Sequence, residues 1–194
     1  MQPPDFFTAD PHFSHTNIIR YCGRPYTSIT EMNDDLVDRW NSIVGEKDVV
    51  WVLGDLWSLD YIPFLNGEKH RFPGDHEKDL WRNKIGAQEK YLAAGFFAVY
   101  SPYVAMVGLP ESVAVAHLPY VELDWNGEDR FRAMRPKDYG MTLLHGHVHT
   151  RWRKRGRMIN VGVDAWSGYP VSLDEIRDTL RYGGDLSPKA WGRT

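Results

Sequence analysis

A single cysteine, Cys22, excludes an internal disulfide and leaves no thiolate cluster for zinc. No stretch approaches the roughly 18 consecutive apolar residues of a membrane-spanning helix. The opening Met-Gln-Pro-Pro-Asp lacks the basic and apolar regions of a signal peptide. These absences predict a cytoplasmic location and no membrane partner. Positive charge is not in excess either. The 23 Lys and Arg against 26 Asp and Glu leave a net charge of −3, with no global pull towards nucleic acid or anionic lipid. Internal repeats, low-complexity tracts and Gly/Ser linkers are missing, so residues 1–194 are read as one domain. What is present is apolar and aromatic: 42% and 13% of residues, enough to fill a sizeable core and to exclude a disordered chain.

The patterning predicts alternating strands and helices. Phe6-Phe7-Thr8 reads as a strand ending at Asp10. Ser28-Ile-Thr-Glu31 has the form of a capping box opening a helix, on which Met32, Leu36, Val37, Trp40 and Ile43 share a face. Residues 48–53 are a continuous apolar run, as expected of a strand buried on both faces, and stop at Gly54-Asp55. A third strand is predicted near Arg71-Phe72. Leu80, Trp81, Ile85, Tyr91 and Leu92 suggest a second helix, weakened at Gly86 and closed near Gly95. Residues 96–116 read as two or three short strands, and 141–144 and 158–163 as further ones. Ser172-Leu-Asp-Glu175 is a second capping box, for a helix to about Tyr182. Residues 120–140 and 183–194 carry no readable pattern. The alternation predicts a layered α/β domain.

The His and Asp residues sit at the ends of these strands. Asp10-x-His12 follows the first and Gly54-Asp55 the second. Gly74-Asp75-His76-Glu77 follows the third, His117 ends another, and His145-Gly-His147-Val-His149 ends one more. Ligands of open α/β sheets collect at strand carboxyl ends, so five such junctions can converge. An Asp after a strand-ending Gly is by itself most often a turn, and a lone His a hydrogen-bonded core residue. The three alternate imidazoles are different: on an extended segment they project to one side, as metal ligands do. Hard oxygens mixed with imidazoles suit manganese, zinc or iron better than calcium. The basic run Arg151-Trp-Arg-Lys-Arg-Gly-Arg157 is either a solvated hairpin loop or a loop beside the site with Trp152 stacking on a base. His15, Asn17 and Arg24 could reach a phosphate.

The ordered set Asp-x-His, Gly-Asp, Gly-Asp-His-Glu, a single His and Gly-His-x-His resembles the signature of the calcineurin-like metallophosphoesterases. The segment 7–20, Phe-Thr-Ala-Asp-Pro-His-Phe-Ser-His-Thr-Asn-Ile-Ile-Arg, is similar to the short bacterial and phage-borne members. The resemblance implies a four-layer α/β/β/α sandwich of two mixed sheets with a binuclear metal site at the strand C-terminal ends. It implies two divalent ions, Mn2+ first, with Zn2+, Fe2+ and Ni2+ as alternatives. Asp10, His12 and His149 would hold one ion, and Asp75, His117 and His147 the other. Asp55 would bridge them, and His76 would be catalytic; His145 lies outside the set.

Implied with these is a metal-dependent phosphoesterase acting on small phosphodiesters or cyclic nucleotides through a metal-bridging hydroxide, with His76 protonating the leaving oxygen. Glu77 or Asp60 would orient His76. The family usually has Asn where this chain has Asp75, and a third carboxylate should weaken the site's pull on an anion. Two alternatives stand beside this reading. One is a nuclease for single-stranded or structured nucleic acid, less favoured for an acidic chain with one basic run. The other is a non-catalytic metal-binding scaffold.

Overall fold

The computed structural model describes residues 3–82, 86–100, 103–106, 113–121 and 128–192. Two mixed five-stranded sheets form its frame. Strands β1 (Phe6–Thr8), β2 (Val49–Leu53), β3 (Glu68–Phe72) and β4 (Phe96–Val99) run parallel in the first. The second comprises β5 (Tyr103–Met106), β6 (Val113–Ala116), β7 (Thr142–His145), β8 (Lys154–Arg155) and β9 (Met158–Asn160), in the order β5-β6-β7-β9-β8. Its central β6, β7 and β9 are parallel and its edges antiparallel. Strand β10 (Val171–Ser172) returns to pair antiparallel with β1. Five α-helices complete the described chain: α1 (Thr16–Cys22), α2 (Ile29–Ile43), α3 (Lys78–Trp81), α4 (Ala87–Ala93) and α5 (Leu173–Arg181). None is long and apolar enough to cross a membrane.

Strand β2 explains the layering. Its side chains alternate, so Val49, Trp51 and Leu53 enter one core while Val50 and Val52 enter another. The first core lies between the sheets, where Phe7, Trp51 and Phe72 meet Val113, Val115, Leu144 and Ile159. Ile176 of α5 closes its margin. The second core packs Met32, Leu36 and Trp40 of α2 against the outer face of the first sheet. The fourth, helical layer expected from the resemblance is not found among the described residues. The outer face of the second sheet, at Ala116, Leu143 and Met158, is packed by Tyr120 and Trp152.

Other expectations need correction. Ile43, placed on the apolar face of α2, is 40% exposed as the last residue of the helix. The helix expected over 80–92 is two, α3 and α4. Gly86 in left-handed backbone (φ 76°) caps the second, and Leu92 is exposed on it. Ile85 lies outside the described residues. Helix α1 was not anticipated: its seven residues bury only Ile18 and so show no period. Within 120–140, Arg132–Met134 form a 3-10 turn, and residues near the C-terminus bridge to Lys154 and Trp166.

Candidate metal centre

Three parallel strands of each sheet point their carboxyl ends at one place, and the loops that leave them carry the expected residues. Asp10 and His12 follow β1, Asp55 follows β2, and Asp75 and His76 follow β3. From the second sheet come His117 after β6, and His147 and His149 after β7. Donor atoms of Asp10, His12 and His149 lie within 4.8 Å of one another, and so do those of Asp75, His117 and His147. Asp55 sits between the two triads. It groups with Asp10 and His117 on one side and with Asp75 and His76 on the other. Its Oδ2 is 3.6 Å from His12 Nε2 and 3.5 Å from His117 Nε2.

The backbone is bent to achieve this. Among the described residues, eight non-glycine positions have positive φ, and Asp10, His12, Asp55, His147 and His149 are five of them. Each such residue costs about 1–2 kcal/mol, so the surrounding packing must hold them. Close approach requires glycine nearby: a Cβ on Gly54 would overlap the His117 ring, and one on Gly74 the Asp55 carboxylate. Beneath the loops, the fully buried Arg71 pairs with Glu77 (2.6 Å). Glu77 in turn accepts from the backbone N–H groups of Asp55, Leu56 and Gly74.

The imidazoles are aimed from behind. His117 Nδ1 donates to the Leu53 carbonyl (2.8 Å), and His149 Nδ1 donates to Asp164 Oδ2 (2.7 Å). His12 Nδ1 lies 3.3 Å from His15 Nδ1. In all three rings this leaves Nε2 for the centre, the arrangement that fixes a metal-binding tautomer. Two inward atoms, Asp10 Oδ1 and His12 Nε2, are buried with no hydrogen-bond partner among the described residues, as expected of groups whose partner is a cation. Asp75 Oδ1 lies 3.0 Å from both His117 Nε2 and His147 Nδ1.

Charge and burial oppose each other throughout. Burial pushes the Asp10 carboxyl up and the His12 imidazole well down. At Asp55, burial is outweighed by the His117 charge, and at Asp75 by hydrogen bonds from His117 and His147; both carboxyls are held below the usual range. His117 is buried yet raised by Asp55, and His149 is buried yet raised by its bond to Asp164.

Several sequence readings change here. The three imidazoles of His145–His149 do not project to one side of an extended segment. Left-handed backbone at His147 (φ 69°) and His149 (φ 47°) turns the chain and sends them to different places. His147 joins Asp75, His149 joins Asp10, and His145 lies on the other face of β7 against Trp152. There burial pushes the His145 imidazole down to about 3. Trp152, which one of the two readings of the basic run had stacking on a base, therefore lies on the outside of the second sheet. Residues 151–157 lead into β8 and form its turn to β9, a hairpin between two strands, with Arg153 over the Trp166 ring and Arg157 paired to Asp138.

Arg24 is buried and does not face a substrate. It donates to both Asp164 oxygens (2.8 and 2.9 Å) and to the carbonyls of Asp10 and Pro11. His15 is engaged with His12, and Asn17 is an exposed residue of α1. Glu77 serves the loops and Asp60 pairs with Ser58, so neither orients His76. His76 Nε2 instead faces Asp55 Oδ2 (3.6 Å) and Asp75 Oδ2 (3.8 Å).

Asp164 and Asn160 support the candidate site and were missed by sequence reasoning. Asn160 donates to the carbonyls of His149 and Trp152 and so holds the turn after His149. A signal for Asp164 existed: Val161-Gly162-Val163-Asp164 repeats, one residue longer, the strand-glycine-acid pattern of Leu53-Gly54-Asp55.

Comparison with known proteins places the chain among phage and archaeal sequences. The gene 66 protein of Mycobacterium phage L5 is 30% identical over 200 residues, covering 91% of this chain and 94% of the relative. That of Mycobacterium phage D29 is 31% identical over 196 residues, covering 90% and 94%. The uncharacterized protein MJ1445 of Methanocaldococcus jannaschii is 28% identical over 193 residues, covering 92% of each. The crystal structure of AQ665 from Aquifex aeolicus, a protein of unknown function, superposes with a TM-score of 0.69 at 23% identity, covering 90% of this chain and 97% of that one. That likeness concerns the fold alone. No protein-family model matches the chain.

Proposed function

The chain belongs to the family of the mycobacteriophage gene 66 proteins, and we propose that it is a metal-dependent phosphoesterase of the calcineurin-like kind, acting on small phosphodiesters or cyclic nucleotides. One observation carries this reading: two donor triads, joined by Asp55, surround buried atoms of Asp10 and His12 that have no hydrogen-bond partner among the described residues. Asp10, His12 and His149 would hold one divalent ion and Asp75, His117 and His147 the second. The mixture of carboxylates and imidazoles suits Mn2+, Zn2+, Fe2+ or Ni2+, and the resemblance to the metallophosphoesterases puts Mn2+ first. When bound, such ions supply Lewis acidity at phosphoryl oxygens and lower the pKa of water.

The protein's own groups do the rest. Leu53 and Asp164 fix the rings of His117 and His149 from behind, so that the imidazoles need no reorganisation. The Arg71–Glu77 pair holds the loops of Asp55 and Asp75 in register. His76, half exposed at the rim and facing Asp55 and Asp75, is the group placed to give a proton to the departing ester oxygen.

The completeness of the donor set argues against a scaffold that has lost its chemistry. The basic run is only partly available to a nucleic acid: Lys154 is buried and Arg153 packs on the Trp166 ring, while Arg151, Arg155 and Arg157 are exposed, Arg157 paired with Asp138. Elemental analysis of the purified protein should find close to two transition-metal ions per chain, together with metal-dependent hydrolysis of bis-p-nitrophenyl phosphate. The His147→Ala, His149→Ala double variant should lose both. A wild-type protein that takes up no manganese, zinc, iron or nickel overturns the reading.

A further inference from the structure

We propose that the indole of Trp57 is the platform on which the base of a nucleotide substrate stacks, an inference that rests on the phosphoesterase reading above. Trp57 stands two residues beyond Asp55 and is 52% exposed. It belongs to none of the hydrophobic clusters, so core packing does not explain it. Its φ of 70° is a left-handed conformation, unfavourable for a bulky L-residue and retained where function needs a side chain in one place.

The ring is fixed. It stacks on His15 with centroids 3.9 Å apart and planes 7° from parallel, and His15 in turn touches His12. The Trp57 centroid is 6.1 Å from that of His12 and 5.5 Å from that of His76, which places an aromatic surface directly beside the donor cluster.

A cleft completes the site. Trp57 and His76 line a cavity of about 550 Å3, together with Leu56, Leu59, Lys78 and Tyr91. That volume lies within the roughly 300–1,000 Å3 of small-molecule sites, enough for one nucleoside and too little for a duplex. His15 covers one face of the indole, and Trp57 also lines the cleft, where a base could meet the ring. A phosphate held at the donor cluster would therefore leave its base over Trp57. Stacking tolerates any base, so the site should select for the presence of a base more than for its identity.

Calorimetric binding of adenosine monophosphate and of ribose 5-phosphate, which differ only by the base, to the manganese-loaded protein tests this. The wild type should bind the nucleotide about ten-fold or more tightly than the sugar phosphate. Trp57→Leu, which keeps apolar bulk without a π face, should bring the two affinities within about two-fold, while Trp57→Phe should preserve most of the preference. Melting temperatures near that of the wild type would show that both variants fold. Equal weakening of both ligands in Trp57→Leu, or no preference in the wild type, overturns the stacking role. If the wild type instead hydrolyses no bis-p-nitrophenyl phosphate and binds neither ligand, the phosphoesterase reading falls, and this inference with it.

Discussion

His76 can be removed without disturbing the core, since its side chain is 49% exposed and its ionic neighbours are the carboxylates of Asp55 and Asp75. His76→Ala should therefore fold and keep its metal content, yet lose about 10²- to 10⁴-fold in turnover of a phosphodiester, the usual worth of general acid–base help. Full activity in this variant would remove His76 from the mechanism. Asp75 presents the opposite case. Its Oδ1 is shared between His117 and His147, so an amide oxygen at the same position could still serve as a ligand. Asp75→Asn removes a negative charge facing an anionic substrate, and turnover should rise by up to about ten-fold, or 1.4 kcal/mol in the barrier. A large fall would mean that the carboxylate has a role the amide lacks. Both residues were readable in the sequence because Gly74-Asp75-His76-Glu77 follows a strand. The partner of His76, Asp55, was not readable, because Glu77 and Asp60 are nearer to His76 in sequence.

At the scale of elements, one guanidinium pins three segments of chain. Arg24, just past the end of α1, reaches the Asp10 and Pro11 carbonyls after β1 and the Asp164 carboxylate after β9, 140 residues away. Arg24→Ala leaves Asp164 buried without its cation, and urea denaturation should report a loss of about 3–5 kcal/mol. Arg24→Lys should rescue only part of this, because an ammonium does not reproduce the two-pronged contact. A loss under about 1 kcal/mol for Arg24→Ala would show that His149 alone satisfies Asp164. Helix starts were legible where a cap announces them. Ser28 accepts from the Glu31 N–H, and Ser172 with Glu175 forms the full reciprocal box. Helix α1 begins at His15 with no side-chain cap, and nothing in its local sequence marks that start.

Across the whole molecule, the sequence by itself determined the order of strands and helices and the places where acids and imidazoles leave the sheets. Those features come from side-chain period, capping and glycine position, which act over a few residues. It also carried the seven candidate donors: six follow strands whose apolar run is visible, and Asp75 follows Glu68–Phe72, a strand of largely polar sequence marked only by the glycine before the acid. Only the tertiary structure decided which donor meets which. Asp75 finds His117 and His147 across 42 and 72 residues because two sheets stack, and no local pattern encodes that distance. Left-handed backbone at His147 and His149 separated three imidazoles that an extended segment would have kept together. The same packing turned Trp152 away from the centre and left Trp57 beside it, although both are tryptophans in loops that leave strands. Burial and backbone handedness at these positions are set by what the rest of the fold places against them, and that is a property of the packed chain rather than of any segment within it.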